Sequence, residues 1–516
     1  MLLTRAKRER LNATSVLDRN IEEGRAGKAA VIAPDRTLSY GELLTEVNRA
    51  GRLLKELGVA REQRVLLVLD DSSAFPVVFL GAMRIGAVPV PVSPLDKASN
   101  FAHFLEDTYA EVVVVDAERV PLLREAFGDR TPTLLSAGAA EGADELAPAL
   151  AQQDDELTPA NTHCDDVAFW LYSSGSTGLP KGVVHLHHDI EITCENFAGE
   201  VLGIREDDVL FSTTKLYHAY GLGNGLNFPL HFGATSVLMT GPPRPEPILA
   251  KLRERRPTVF FSVPALFAAI VRAPEAEDAL EPVRMCVSAA EALPPATFDR
   301  WSERFGLEIV DGIGSTEMLH IYCSNRPDQV IRGTTGLPVP GYELRLIDDD
   351  GNVLEGAGIG SLEVSGDSCA AFYWHQHEKT KRSMRGDWFS SGDRFRRNED
   401  GSYVYEGRAD DMLKVGGLWV SPVDMENQLV AHERVSAAGV VGISQDDTSR
   451  IAAFVIREPG GPSDDELADE LRAWCKERMR RYEYPHVVHF VEDLPRTVTG
   501  KVQRFRLREL TDAEQS

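Results

Sequence analysis

The chain has 516 residues, 43% of them hydrophobic and 26% charged, and a formal net charge of −25. This length exceeds one compact core and predicts at least two domains, and the acidic balance argues against general nucleic-acid binding. No apolar run is long enough to span a membrane, the N-terminus lacks the apolar stretch of a signal peptide, and the six scattered cysteines, without metal-ligand spacing, predict reduced buried thiols in the cytoplasm.

Apolar runs at 64–69 and 112–115 alternate with amphipathic stretches, the pattern of parallel strands with covering helices. The Ala-, Glu- and Asp-rich stretch 137–159 reads as a surface excursion. Residues 167–172 read as a buried strand. That strand runs into Ser173-Ser174-Gly175-Ser176-Thr177-Gly178-Leu179-Pro180-Lys181-Gly182. A small-residue loop leaving a strand can wrap backbone N–H groups around phosphate oxygens, and glycine permits the close approach. It is not a Walker loop, because Pro180 precedes Lys181 and Gly182 follows it. Residues 342–348 alternate with period two and end at Asp350-Gly351, predicting strand hairpins in a barrel-like section before residue 408. Beyond Asp411, strands near 437–443 and 450–456 and a helix near 464–481 predict a small α/β unit. Between Arg472 and Arg508, ten Lys/Arg stand against four Asp/Glu, local basic surface suited to a polyanionic substrate in an acidic protein.

Further motifs follow in order: Gly81-Ala82-Met83-Arg84-Ile85-Gly86-Ala87, Asp311-Gly312-Ile313-Gly314-Ser315-Thr316-Glu317, Ser391-Gly392-Asp393, Gly407-Arg408-Ala409-Asp410-Asp411, and Pro495-Arg496-Thr497-Val498-Thr499-Gly500-Lys501. With the 173–182 loop these resemble the signatures of the acyl-adenylate-forming superfamily of acyl- and aryl-CoA ligases, luciferases and adenylation domains. The resemblance covers nearly the whole chain. It implies an N-terminal domain over 1–407 holding ATP and the acid, a hinge at 408–411, and a small mobile C-terminal domain over 412–516.

The implied chemistry joins a carboxylate to the α-phosphate of ATP and expels pyrophosphate, so cations and donors must face the phosphate oxygens. By resemblance, Ser173 to Gly178 and Lys181 hold phosphate, the Thr316 hydroxyl meets phosphate, and the Glu317 carboxylate meets Mg²⁺. Ala289-Ala290-Glu291 lines the adenine, and Asp311, Gly312, Ile313 and Ser315 belong to the ATP/AMP site. Relatives more often carry glycine at 290, so Ala290 tightens that wall. Asp393 binds the ribose diol, as one carboxylate can accept two hydrogen bonds, and Arg408 makes the second ribose contact. Lys501 is the catalytic lysine of adenylation. Rotation about Asp410 would replace it with Lys414-Val415-Gly416-Gly417-Leu418-Trp419, whose glycines let a pantetheine channel form for coenzyme A.

For the acid, Ala219-Tyr220-Gly221-Leu222-Gly223-Asn224-Gly225, Glu317-Met318-Leu319-His320 and Asp411-Met412-Leu413-Lys414 resemble the benzoate-CoA ligase branch. There Ala219, Tyr220, Gly312, Gly314 and His320 would border a slot for one aromatic ring. His218 departs from the aromatic or apolar residues usual at that place. Either it meets a polar ring substituent or it bonds to backbone behind the pocket. The expected substrate is benzoate or a small substituted benzoate such as 2-aminobenzoate, with coenzyme A as acceptor. A carrier-protein thiol as acceptor remains the alternative, and a non-catalytic homologue is disfavoured by intact Lys501, Asp393, Arg408 and Glu317. Aryl ligases are often homodimers, and no segment identifies an interface.

Overall fold

A computed structural model describes residues 9–173, 179–274, 276–415, 418–445, 448–480, 483–496 and 502–515. The strands Val88–Pro91, Arg64–Val68, Val112–Asp116, Thr133–Ala137 and Asp144–Glu145 form an all-parallel sheet in that order. The two apolar runs expected to be strands are its centre, and Val65 to Val68 and Val113 to Val115 are fully buried, as a sheet covered on both faces requires. The 137–159 stretch is more structured than its polarity predicts. It supplies the edge strand Asp144–Glu145 and the short helix Leu146–Ala151, anchored by buried Leu146 and Leu150. Two leucines four apart outweigh the surrounding charge there.

A second sheet has nine strands, with a parallel centre running through Ile309–Gly314, Met285–Ser288, Val259–Ser262, Val209–Ser212, Thr235–Val237 and Ala29–Ile32. Ile321–Ser324 adds to the Ile309–Gly314 edge antiparallel. Helix Ala74–Arg84 is apolar on nearly every side because packing surrounds it. Its Gly81 lets helix Tyr40–Glu56 approach, since a Cβ at 81 would lie 2.6 Å from Ala50 Cβ. The motif's Arg84 is buried and bonds Asp18 through both guanidinium arms at 2.8 and 2.9 Å. This motif is therefore part of the core rather than of a binding surface.

Three antiparallel strands, Phe372–Tyr373, Lys181–Leu186 and Val167–Ser173, form the small sheet from which the glycine-rich loop springs. The predicted barrel-like section is an antiparallel sheet in which Tyr342–Ile347 pairs with Gly358–Gly366, Gly358–Gly366 with Trp388–Arg397, and Trp388–Arg397 with Tyr403–Arg408. Beyond it, Val435–Gln445, Thr448–Arg457 and Val487–Phe490 form a sheet with helices Pro422–Val430, Asp464–Arg478 and Arg504–Gln515 nearby. This region has its own apolar core of Met425, Leu429, Val440, Ile451, Val455 and Leu471. Helix Asp464–Arg478 begins with a capping box, Ser463 and Glu466 bonding each other's backbone. The mixed α/β class, the parallel sheets and the barrel-like section agree with the sequence expectation. All six cysteines are free thiols. Among the described residues no helix is long and apolar enough to cross a membrane.

Candidate active site

Pairing of Ser173 with Lys181 brings the two ends of the glycine-rich loop together. Ser174, Gly175, Ser176, Thr177 and Gly178 lie outside the described residues. Ser173 Oγ is closed off from solvent and takes no hydrogen bond from any described residue. Across from it, strand Ile309–Gly314 ends in a single helical turn, Thr316–Met318, capped by Ser315 Oγ accepting from the Met318 N–H at 3.2 Å. Gly312 and Gly314 are demanded by close backbone packing. A Cβ at 312 would lie 2.9 Å from the Cys323 carbonyl, and one at 314 would lie 2.3 Å from that of His320.

That turn carries Glu317. Lys181 Nζ and the Tyr373 hydroxyl both donate to Glu317 Oε1, each at 2.8 Å, and Lys181 Nζ sits 3.9 Å from the Tyr373 ring centre. Burial pushes the Glu317 carboxyl up. Lys181 and the hydrogen bonds from Lys181 and Tyr373 outweigh burial and hold the group below the ordinary glutamate range. Both side-chain donors fall on the same carboxylate oxygen, Oε1. The Thr316 carbonyl accepts from His185 Nε2 at 2.8 Å, and His185 Nδ1 meets Asp189 at 2.8 Å. The Glu317 carbonyl accepts from the Ala370 N–H at 2.7 Å. These contacts fix the turn's backbone from two sides.

Asp393 and Arg408 face each other on paired strands, their side chains 3.1 Å apart, and Arg408 also donates to the Ser391 carbonyl at 2.9 Å. Gly392 sits at φ +74, and a Cβ there would come 2.8 Å from the Arg408 guanidinium. Ala289, Ala290 and Glu291 follow strand Met285–Ser288 directly, and Asp311 pairs with Ser288. Ala290 adopts φ +78, the left-handed region that favours glycine. Asp311 is buried with Oδ1 unpartnered among the described residues, and burial pushes its carboxyl up from the ordinary value.

Of the residues expected to line an aryl pocket, His218, Ala219 and Tyr220 lie on the segment after strand Val209–Ser212. Helix Ala219–Leu222 opens into a wider π-type turn over Gly223–Asn227. Tyr220 donates its hydroxyl to the Val287 carbonyl at 3.1 Å. His320 is buried among the Phe197, Tyr220 and Phe228 rings, and its Nε2 meets Asn224 Oδ1 at 3.2 Å. A Cβ at Gly223 would lie 2.4 Å from His320 Cδ2, so this glycine lets the imidazole dock. Burial lowers the His320 pKa to about 3 and that of His218 to about 4, so both are neutral at pH 7. His218 Nε2 is closed off from solvent and has no hydrogen bond among the described residues.

The model for "AMP-binding enzyme" matches residues 17–374, and that for "AMP-binding enzyme C-terminal domain" matches residues 424–501. The chain belongs to the AMP-binding enzyme family. It is 46% identical over 507 residues to the benzoate–CoA ligase of Thauera aromatica, covering 97% of this chain and 96% of that one. Its fold matches a crystal structure of the anthranilate CoA ligase AuaEII in complex with anthranoyl-AMP, with TM-score 0.94, 37% identity and 98% of each chain covered. It also matches a benzoate CoA ligase from Burkholderia xenovorans LB400, with TM-score 0.91, 42% identity, and 96% of this chain and 100% of that one covered.

In this AMP-binding enzyme, Lys501, Gly416 and Gly417 lie outside the described residues, as do the side chains of Lys414 and Trp419. The backbone pairs Lys414 with Trp419 in the hairpin of strands Leu413–Val415 and Leu418–Val420. Arg496 and Val502 bridge and so hold the two ends of the Lys501 loop together. Arg496 also meets Glu291 at 3.4 Å, tying the C-terminal region to the adenine segment. Asp410 is exposed in the turn Ala409–Asp411, while Asp411 pairs with Arg508 at 2.9 Å. Tyr373, His185 and Asp189 were not anticipated from sequence. His185 and Asp189 show only an i, i+4 spacing, and Tyr373 lies far along the chain from the motif it completes.

Proposed function

We propose that this protein is an AMP-forming aryl-CoA ligase. It activates benzoate or a small substituted benzoate such as 2-aminobenzoate as the acyl-adenylate, releases pyrophosphate, and passes the acyl group to coenzyme A. The observation that carries the reading is the juxtaposition of a charge-paired phosphate wall, Lys181–Glu317–Tyr373, with a neutral aromatic pocket at the same strand end, Tyr220, His320 and His218.

In the first step a carboxylate oxygen attacks the α-phosphorus, and the bond to the bridging oxygen breaks with its electron pair leaving on pyrophosphate. Negative charge gathers on phosphate oxygens, so fixed cations lower the barrier most. Lys181 serves the phosphates, Asp393 and Arg408 the ribose, and Lys501 the carboxylate and α-phosphate oxygens. The donor set suits Mg²⁺, since Glu317 offers a carboxylate oxygen and substrate phosphates complete such a shell. Bound there, the ion neutralises phosphate charge. Lys181, paired with Glu317 here, would then be free to serve phosphate.

The second step needs Lys501 withdrawn so that a thiol can reach the acyl carbonyl. Asp410 is the pivot of this rotation. Contacts that cross between the two regions include Arg496 with Glu291, Arg272 with Glu458 at 2.9 Å and with the Ser436 carbonyl at 3.5 Å, Arg300 with the Val430 carbonyl at 3.2 Å, and Ser421 Oγ with the Glu406 carbonyl at 2.7 Å. The test is thioester formation from ATP, coenzyme A and a panel of aryl and fatty acids, with AMP and pyrophosphate measured as products. Benzoate-type acids should be turned over and AMP released. Release of ADP, or no thioester with any aryl acid, contradicts the reading. Asp410→Pro should keep acid-dependent ATP–pyrophosphate exchange while thioester formation falls, because proline fixes φ.

A further inference from the structure

A second lysine stands beside the Lys181–Glu317 pair. Helix His377–Ser383 follows strand Phe372–Tyr373, and Thr380 fastens the two together. Thr380 Oγ accepts from the Tyr373 N–H at 3.1 Å and donates to the Gln376 carbonyl at 3.0 Å. This clamp holds the neighbouring Lys379 over Tyr373, its Nζ 5.8 Å from the ring centre, where Lys181 Nζ lies 3.9 Å from the same centre. Lys379 is half-buried, unlike Lys381 and Arg382 on the same helix, which are exposed. Among the described residues it has no carboxylate in ion-pair contact, because Lys181 and Tyr373 already occupy Glu317 Oε1. Burial and the like charge of Lys181 both press the Lys379 ammonium below its ordinary pKa.

Two ammoniums crowded on one ring, with a carboxylate paired to only one of them, is an unfavourable arrangement. A polyanion between them reverses the sign of the interaction. Lys181 stands where the glycine-rich loop rejoins the sheet, so the anion this pair suits is the end of the nucleotide farthest from the ribose. We propose that Lys379 contacts the β- and γ-phosphates of ATP, working with Lys181, and holds the departing pyrophosphate. This rests on the AMP-forming reading above. As the bond from the α-phosphorus to the bridging oxygen breaks, its electron pair moves onto pyrophosphate, and the second lysine faces the charge that develops there. No sequence motif pointed to this residue, because it sits in a short basic helix that reads as solvated surface.

The test compares wild type with Lys379→Met, which keeps the chain length, and Lys379→Arg, which keeps the charge. In ATP–pyrophosphate exchange, Lys379→Met should raise the KM for pyrophosphate and for ATP by about tenfold or more, the scale of a hydrogen bond to a charged group. The KM for the aryl acid should stay within about twofold, and Lys379→Arg should recover most of the loss. Methionine at 379 with wild-type KM values for both phosphates overturns the proposal. So does a parallel rise in the aryl-acid KM, which signals general disruption. A thermal-shift titration with pyrophosphate alone separates the two levels. Should no aryl acid support exchange in wild type, the functional reading fails, and Lys379 is decided by whether pyrophosphate stabilises wild type and not Lys379→Met. Equal shifts, or none in wild type, overturn it. Melting temperatures without ligand confirm that both variants fold.

Discussion

The phosphate wall and the aryl pocket share a strand end but are prepared in opposite ways. On the wall, opposite charges are paired with one another, Lys181 with Glu317 and Arg408 with Asp393. In the pocket, burial lowers the pKa of His218 to about 4 and that of His320 to about 3, so both imidazoles are neutral at pH 7. A reaction that moves charge among phosphate oxygens needs cations ready to change partners. Recognition of an uncharged ring needs polar atoms that carry no charge and keep no strong partner. On the proposed reading of a phosphate wall and an aryl pocket, catalysis falls to one half of the site and selectivity to the other.

The largest effect that would sharpen this division belongs to Lys501. Lys501→Ala should lower adenylate formation by roughly several hundred-fold, the scale of losing one donor to a developing oxyanion. Thioester formation from supplied acyl-adenylate should persist, measured by single-turnover kinetics. Equal loss of both steps would mean that the lysine is not confined to the first.

Glu317→Gln comes next. It removes the carboxylate proposed for the cation and leaves Lys181 without its ion pair, so adenylation should fall by about a hundredfold and Mg²⁺ activation should flatten. A buried pair broken on one side costs about 3–5 kcal/mol, so thermal stability should fall as well. Because the folded Glu317 carboxyl lies below its ordinary value of 4.5, its contribution to stability is present above that pH and is lost as pH falls through the lower folded value. The variant's stability deficit should therefore be full at pH 7 and shrink in strong acid. A deficit that grows on acidification contradicts the pairing.

Much of this was legible in the sequence. The apolar runs at 64–69, 112–115 and 167–172 became strands, because continuous burial on both faces writes itself as unbroken hydrophobicity. Lys181, Glu317, Asp393 and Arg408 carry recognisable neighbours, and the structure pairs Lys181 with Glu317 and Arg408 with Asp393, while Ser174 to Gly178 lie outside the described residues. Residues that act alone were not legible. Tyr373, His185 and Lys379 gain meaning only when a three-stranded antiparallel sheet brings distant segments together. Gly312 and Gly314 were expected as pocket lining, and the structure shows what excludes a side chain there, namely the 320–324 backbone. The strain at Ala290 was half legible. Glycine was expected as the more usual residue there, and the reason, φ +78, is a backbone fact.

A smaller effect tests the neutral half. His218 has an unpartnered Nε2 among the described residues, and its two readings, a ring substituent or backbone behind the pocket, divide on one variant. His218→Phe should lower kcat/KM for amino- or hydroxybenzoates relative to benzoate by on the order of tenfold. An unchanged ratio would take His218 out of substrate recognition.

The smallest effect concerns Ala290. Ala290→Gly relieves a left-handed alanine, a strain of about 1–2 kcal/mol, and gives back part of it as unfolded-chain entropy. A gain of up to about 1 kcal/mol in unfolding free energy is expected, with the KM for ATP little changed. A clear loss of stability would show that the methyl group's packing outweighs the backbone cost.

The most direct test of the division between charged wall and neutral pocket is ATP–pyrophosphate exchange driven by benzoate, 2-aminobenzoate and octanoate under one set of conditions. Exchange reads the wall and the pocket together and needs no thiol. Steep preference for both aryl acids over octanoate, with little difference between the two, is the predicted result, since missing contacts in an apolar pocket cost only about 1–3 kcal/mol each while excess length is excluded sterically. Octanoate matching the better aryl acid would contradict the account.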